Sequence, residues 1–299
     1  MLGEIYIKYE YWIAAFQLVF AMFGMGATLT IADFKDVIRE PRAVSFGIAI
    51  QLILVPLIAL FFIRFSNVSA GVAIGIAVIA AIPGGTTSNI FTHLARGNVP
   101  LSISITGLTT LACLISTPLI LGLLITEYMP GDFAMPTGQI VNDIALTLLL
   151  PLAMGMIILR YVPGYARSIS NWSIRASLFG ILLIVVGSAS AGRLDIGAFG
   201  EQNFLLVCAF VIILSISSWA ASRLLRFSLS DSTAIEMEII VRNVNLGVLI
   251  KATMFPAIAG NAHNVGDMVL FTLLLYGGLQ LVFAAIVITL RRRRSSGIL

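Results

Sequence analysis

The sequence predicts an all-α polytopic membrane protein of about nine transmembrane helices, arranged as an inverted repeat around two crossed, discontinuous helices. Three observations predict it. The 299 residues are 59% hydrophobic and 11% charged, with a mean hydropathy of +1.03, whereas a soluble domain carries about 25% charged residues. An apolar segment over 68–94 is interrupted by Ile82-Pro83-Gly84-Gly85-Thr86-Thr87-Ser88-Asn89-Ile90. A second apolar segment carries two carboxylates, a guanidinium and two amides in Glu236-Met237-Glu238-Ile239-Ile240-Val241-Arg242-Asn243-Val244-Asn245.

At about 20 residues per span and short loops, this length holds nine or ten helices and no sizeable soluble domain. The predicted spans are 11–32, 43–63, 68–95, 100–126, 138–160, 174–192, 203–222, 233–255 and 265–290. Residues 1–10 mix Glu4, Lys8 and Glu10 with aromatics and read as a tail, without the pattern of a cleaved signal peptide. Cys113 and Cys208 lie inside apolar runs, so neither a disulfide framework nor a metal cluster is expected.

An odd number of spans puts the termini on opposite sides, and the Lys/Arg count selects which. One set of loops holds Lys35, Arg39, Arg42, Arg96, Arg160, Arg167, Arg223, Arg226 and the four arginines of 291–294; the other holds Arg64 and Arg193, with Lys8 in the tail. The expectation is a cytoplasmic C-terminus and an N-terminus outside. The net charge of +4 then reflects this asymmetry, and 291–294 reads as a stop-transfer anchor on anionic lipid, not a nucleic-acid patch.

Taken in order, Asp33 is expected to cap a short surface helix that ends at Pro41. Gln51 is polar inside the second span. Gly71 and Gly75 permit close helix contact. At Pro83 the third span loses a backbone donor and clashes with the preceding turn. Its second half should restart near Gly85, with free N–H groups facing the membrane interior. Such backbone is tolerated only where it is buried in protein or lines a polar cavity. Ser102, Thr106 and Thr109 share one face of the fourth span. In the eighth span Glu238 and Arg242 have the spacing of an i,i+4 ion pair, and Glu238 is a candidate source of negative charge for a cation site. The two interrupted segments are five spans apart and so cross in opposite directions, the signature of an inverted repeat with its site near the midplane. His93 and His263 are isolated, and no catalytic motif is present. An enzyme is not expected, and neither is an obligate protein partner.

Three blocks resemble the bile acid:sodium symporter family: Phe23-Gly24-Met25-Gly26-Ala27-Thr28-Leu29 with Asp33-Phe34; Pro83 to Asn89 with Leu94-Ala95-Arg96-Gly97-Asn98; and Glu238 to Asn243. The resemblance implies two inverted repeats split into panel and core domains, as in the sodium/proton antiporter NhaA. By the same resemblance one helix of the first repeat would be missing, as in the nine-helix members. The panel helices would be 11–32, 138–160 and 174–192, and the core helices would lie in 43–126 and 203–290, all in one membrane domain.

The resemblance also implies site residues. A first sodium site falls on Ser88, Asn89, Ser102, Thr106 and Glu238. A second falls on Gln51, Glu238 and the backbone of Ile239 and Val241, but the position that is usually Gln is Arg242, which has no acceptor atom. Substrate contacts fall on Thr86, Thr87 and Asn243, with Thr272 the polar position on the ninth span, beside apolar Leu273. Arg242 is expected either to replace the second sodium with a tethered charge or to bind the substrate carboxylate. The function implied is sodium-coupled symport of small organic anions, bile-acid-like or pantoate-like carboxylates, with sodium as the coupling ion and no other cofactor. The alternative is a proton-coupled or sodium-independent transporter or exporter in which Glu238 titrates.

Overall fold

A computed structural model describes residues 2–35, 41–129, 133–256 and 265–295. His263 and most of the segment expected between Asp33 and Pro41 lie outside these residues. The helices are α1 (Leu2–Gly26), α2 (Pro41–Phe65), α3 (Ala70–Ala81), α4 (Thr86–Leu94), α5 (Val99–Leu124), α6 (Thr137–Tyr161), α7 (Pro163–Ser190), α8 (Glu201–Leu224), α9 (Leu229–Ile240), α10 (Val244–Met254) and α11 (Val265–Ser295). Six of them, α2, α5, α6, α7, α8 and α11, are long and apolar enough to cross a membrane. No strand occurs among the described residues. The chain is an integral membrane protein of helical bundle type.

Three elements differ from expectation. Residues 2–10 are helical, not a tail, because the buried Glu10 carboxylate finds cationic partners elsewhere in the bundle. Helix α7 starts at Pro163, eleven residues before 174, since Pro is well suited to a first helical turn. Pro41 begins α2, and Asp33 accepts hydrogen bonds from the Thr30 amide and hydroxyl at a 3-10 turn over Ile31–Lys35.

The half-helices are innermost. Every residue of α3 from Gly71 to Ala81 is buried, as are 232–240 of α9 and 246–254 of α10. The long helices surround them and turn large apolar side chains outward, among them Ile115, Leu123, Leu178 and Leu205, as lipid requires. The expected glycine contact is between α3 and α11. A Cβ on Gly71 would come 2.3 Å from that of Met268, and one on Gly75 would come 2.6 Å from that of Thr272. Helices α1 and α7 meet along their length through small residues: Gly24 on Ser173, Gly180 on Gln17, Gly187 on Tyr6, and Gly3 on Ser190. Helix α6 joins them where Gly26 and Gly155 face each other.

Candidate ion and anion site

Two helix breaks meet at the centre of the bundle. Helix α3 ends at Ala81, and α4 restarts at Thr86 after extended Gly85. Helix α9 ends at Ile240, and α10 restarts at Val244, capped by the Asn243 side chain accepting from the Leu246 amide. The two breaks run antiparallel with Gly84 opposite Arg242. Gly85 N–H donates to the Val241 carbonyl (2.8 Å), and Asn243 N–H donates to the Pro83 carbonyl (2.9 Å). The remaining amides are met by glutamines: Gly84 N–H donates to Gln51 Oε1 (3.0 Å) and Arg242 N–H to Gln280 Oε1 (2.9 Å). Irregular backbone is thereby satisfied inside protein. Gln51 lies in a π-helical turn, Ile50–Leu54, just ahead of Pro56, and such turns re-aim side chains.

The Glu238 carboxylate is fully buried beside this crossing. Its Oε1 lies 2.5 Å from Ser88 Oγ, 2.6 Å from Ser102 Oγ and 2.7 Å from Thr106 Oγ1. Its Oε2 lies 2.8 Å from Thr106 Oγ1 and 3.3 Å from Gln51 Nε2. Asn89 Oδ1 accepts from Ser102 Oγ at 2.8 Å. The structure therefore brings Ser88, Asn89, Ser102, Thr106 and Glu238 together. Thr109, one turn further along α5, bonds back to the Ile105 carbonyl and takes no part. A Cβ on Gly84 would stand 2.4 Å from Glu238 Oε2, so this glycine admits the carboxylate.

The expected Glu238–Arg242 pair does not form, because α9 stops between the two residues and removes the i,i+4 geometry. Instead the guanidinium donates to the carbonyls of Ile79 (3.2 Å) and Ala80 (3.1 Å) and to Gln51 Oε1 (3.3 Å). The two carbonyls belong to the last turn of α3, the negative end of its dipole. Gln51 sits between the charges, facing Arg242 with its oxygen and Glu238 with its nitrogen. Of the other residues expected around a second ion, Ile239 is buried in α9 and the Val241 carbonyl is taken by Gly85.

A cavity of about 410 Å³ adjoins the crossing, lined by Thr86, Thr87, Arg242, Asn243, Asn245 and Gln280, with an apolar wall from Ile174, Leu178, Ile181 and Leu274. Both half-helices α4 and α10 present their N-termini to it, an arrangement that favours anions. Thr272 and Leu273 do not reach it. The Thr272 hydroxyl bonds to Met268 O, and Leu273 is buried near Gly247. The polar contribution of α11 is Gln280, which carries no motif and escapes sequence reading. Gln17, which donates to Asn245 O at 3.1 Å, escapes it likewise. Away from the cavity, Arg291 pairs with Glu236 (2.7 Å) and Arg292 donates to the Leu94 carbonyl (2.8 Å), so Arg291 and Arg292 bind protein groups.

The family model described as the sodium bile acid symporter family matches residues 15–194. The chain is 29% identical over 275 residues to the uncharacterized sodium-dependent transporter YocS of Bacillus subtilis, covering 87% of this chain and 83% of that one. It is 31% identical over 242 residues to the probable chloroplastic sodium/metabolite cotransporter BASS1 of Arabidopsis thaliana, covering 80% of this chain but 58% of that one. To the human sodium-dependent organic anion transporter it is 25% identical over 265 residues, with 87% and 67% covered. The match spans more than half of the chain and includes the first break with its polar residues. The protein belongs to the sodium bile acid symporter family, a family of transporters and not of enzymes.

Proposed function

We propose that this protein couples entry of sodium to transport of a small organic anion by alternating access. One observation carries the reading. Glu238 is fully buried, is met by the hydroxyls of Ser88, Ser102 and Thr106, and has no cationic side chain within ion-pair distance among the described residues. A carboxylate so placed is costly unless a cation joins it. Hydroxyl, amide and carboxylate oxygens are the ligands that a hard cation takes. Rotation of the hydroxyl protons away from Glu238 would offer their lone pairs to one sodium ion, with Asn89 Oδ1 as a further ligand.

The guanidinium of Arg242 serves in place of a second sodium. It rests on Gln51 and the α3 carbonyls, where a free cation would otherwise meet Gln51, Glu238, Ile239 and Val241. The anion binds in the adjoining cavity at Thr86, Thr87 and Asn243, its carboxylate toward the two helix N-termini and its apolar part against Ile174 and Leu178. A pantoate-like carboxylate suits this mixed lining. Each broken pair counts as one span, so that among the described residues α1, α2, α3–α4, α5, α6, α7, α8, α9–α10 and α11 make nine. They form an NhaA-like inverted repeat, with α1, α6 and α7 as panel and the rest as core. The Lys/Arg asymmetry supports an outside N-terminus, and the assignment to a bacterial inner membrane rests on the likeness to the Bacillus subtilis transporter over most of both chains.

The test is uptake of radiolabelled carboxylates into proteoliposomes with and without an inward sodium gradient. Uptake that follows sodium supports the proposal. Uptake indifferent to sodium but driven by a proton gradient supports the second reading, in which the buried Glu238 takes a proton in place of the ion.

A further inference from the structure

A second set of buried charges lies away from the crossing. Glu10 of α1, Arg193 just beyond α7, Lys251 of α10 and Asp267 in the first turn of α11 are each 4% exposed or less. Lys251 Nζ stands 2.5 Å from Glu10 Oε1, and Tyr6 donates to the same oxygen at 3.2 Å. Arg193 Nη1 lies 3.2 Å from Asp267 Oδ1 and 3.8 Å from Glu10 Oε2. The four formal charges cancel. Nearby, Thr253 of α10 donates to Asp143 of α6 at 2.6 Å.

Two features set this network apart from an ordinary staple. Each close pair joins the α1–α7 unit to the α10–α11 unit: Glu10 to Lys251, and Arg193 to Asp267. The network also lies to one side of the crossing. Lys251 is seven residues beyond the start of α10, about 10 Å along its axis. The cavity is on the opposite side, toward Ala21 of α1, Ile174 of α7 and Leu281 of α11.

We propose that Glu10, Lys251, Arg193 and Asp267 form the latch that closes one face of the transport path, its two ion pairs parting and hydrating when that face opens. The proposal rests on the reading above, alternating access with α1, α6 and α7 as panel, and takes the panel to move against the core. The physical case is the balance of terms. An apolar seal gains from burial and resists opening. A buried ion pair is close to break-even against its hydrated, separated state. Such a seal closes without water and opens under a modest bias from bound ion or substrate.

The test uses the full-length protein with Cys113→Ala and Cys208→Ala. A reporter, Ser188→Cys, is placed at a buried position on α7 whose carbonyl receives the Arg193 amide. Labelling of this cysteine by a membrane-impermeant maleimide should be slow. It should rise at least tenfold with Glu10→Gln, and return toward the starting rate when Glu10→Lys is combined with Lys251→Glu. In a separate protein, cross-linking Glu10→Cys to Lys251→Cys should reduce sodium-driven uptake at least tenfold, and reduction should restore it. A cross-linked protein that transports at the uncross-linked rate overturns the latch and leaves a static staple. Labelling that ignores both the neutralisation and the swap overturns it as well. Absence of sodium-driven uptake in the parent protein counts against the proposed function alone, because labelling still decides the latch.

Discussion

The two breaks at the centre of the bundle have the same backbone form but opposite chemistry. The first, at Pro83, Gly84 and Gly85, works by omission: a missing donor and two missing side chains let the other break approach. The second, at Val241, Arg242 and Asn243, works by addition: a guanidinium fastens the break to α3, and an amide caps α10. A membrane helix can thus be opened either by removing what a helix needs or by supplying partners for what it exposes. In the proposed ion site the carboxylate, Glu238, comes from the second arm, while the neutral oxygens of Ser88, Asn89, Ser102 and Thr106 come from α4 and α5.

The largest effect should follow removal of that charge. Glu238→Ala is expected to reduce sodium-stimulated uptake at least a hundredfold while the protein still elutes as a folded species. Near-normal coupled uptake in a well-expressed variant would falsify the division of labour between the arms. Gly84→Ala tests the omitted side chain. Its Cβ would stand 2.4 Å from Glu238 Oε2, and overpacking of this kind costs about 1–3 kcal/mol. We expect a lower thermal midpoint together with weakened sodium dependence; an unshifted midpoint would show that the crossing can spread.

Arg242→Gln should act on the ion count. Sodium dependence with a Hill coefficient near one in the parent is expected to steepen in the variant, with substrate affinity changed only a few-fold. If anion affinity collapses at saturating sodium and the sodium curve keeps its shape, Arg242 belongs to the substrate site. The smallest effect is expected from Gln280→Leu, which leaves the Arg242 amide without its acceptor. A buried unmet donor costs about 1–3 kcal/mol. Thermal stability should fall by that order, and the apparent substrate affinity should weaken modestly. Unchanged stability would mean that another group takes over the amide.

Much of this arrangement is legible in sequence because bilayer physics makes polar residues conspicuous. Proline and paired glycines in an apolar run announce the first break, and a carboxylate in an apolar helix announces the buried polar cluster around Glu238. What sequence hides is partnership across distance. Glu10 reads as part of a polar tail until Lys251 and Arg193 are brought against it, and this displaced the expected start of α1. Arg242 sits four residues from Glu238, and only the end of α9 at Ile240 reveals that they cannot pair along one helix. Gln280 is a single amide in a long apolar helix. Its role depends on a backbone donor 38 positions away, for which no local pattern exists.

The crossing is joined by main-chain groups: the amides of Gly85 and Asn243 and the carbonyls of Val241 and Pro83. Such bonds are indifferent to the side chains beside them. Thr86 and Thr87 can therefore be exchanged without undoing the joint, provided each replacement fits a helix start. A scaffold of this kind separates the frame from the reader. Its cargo can drift over generations by changes at a few cavity positions, while the joint that makes the cavity persists.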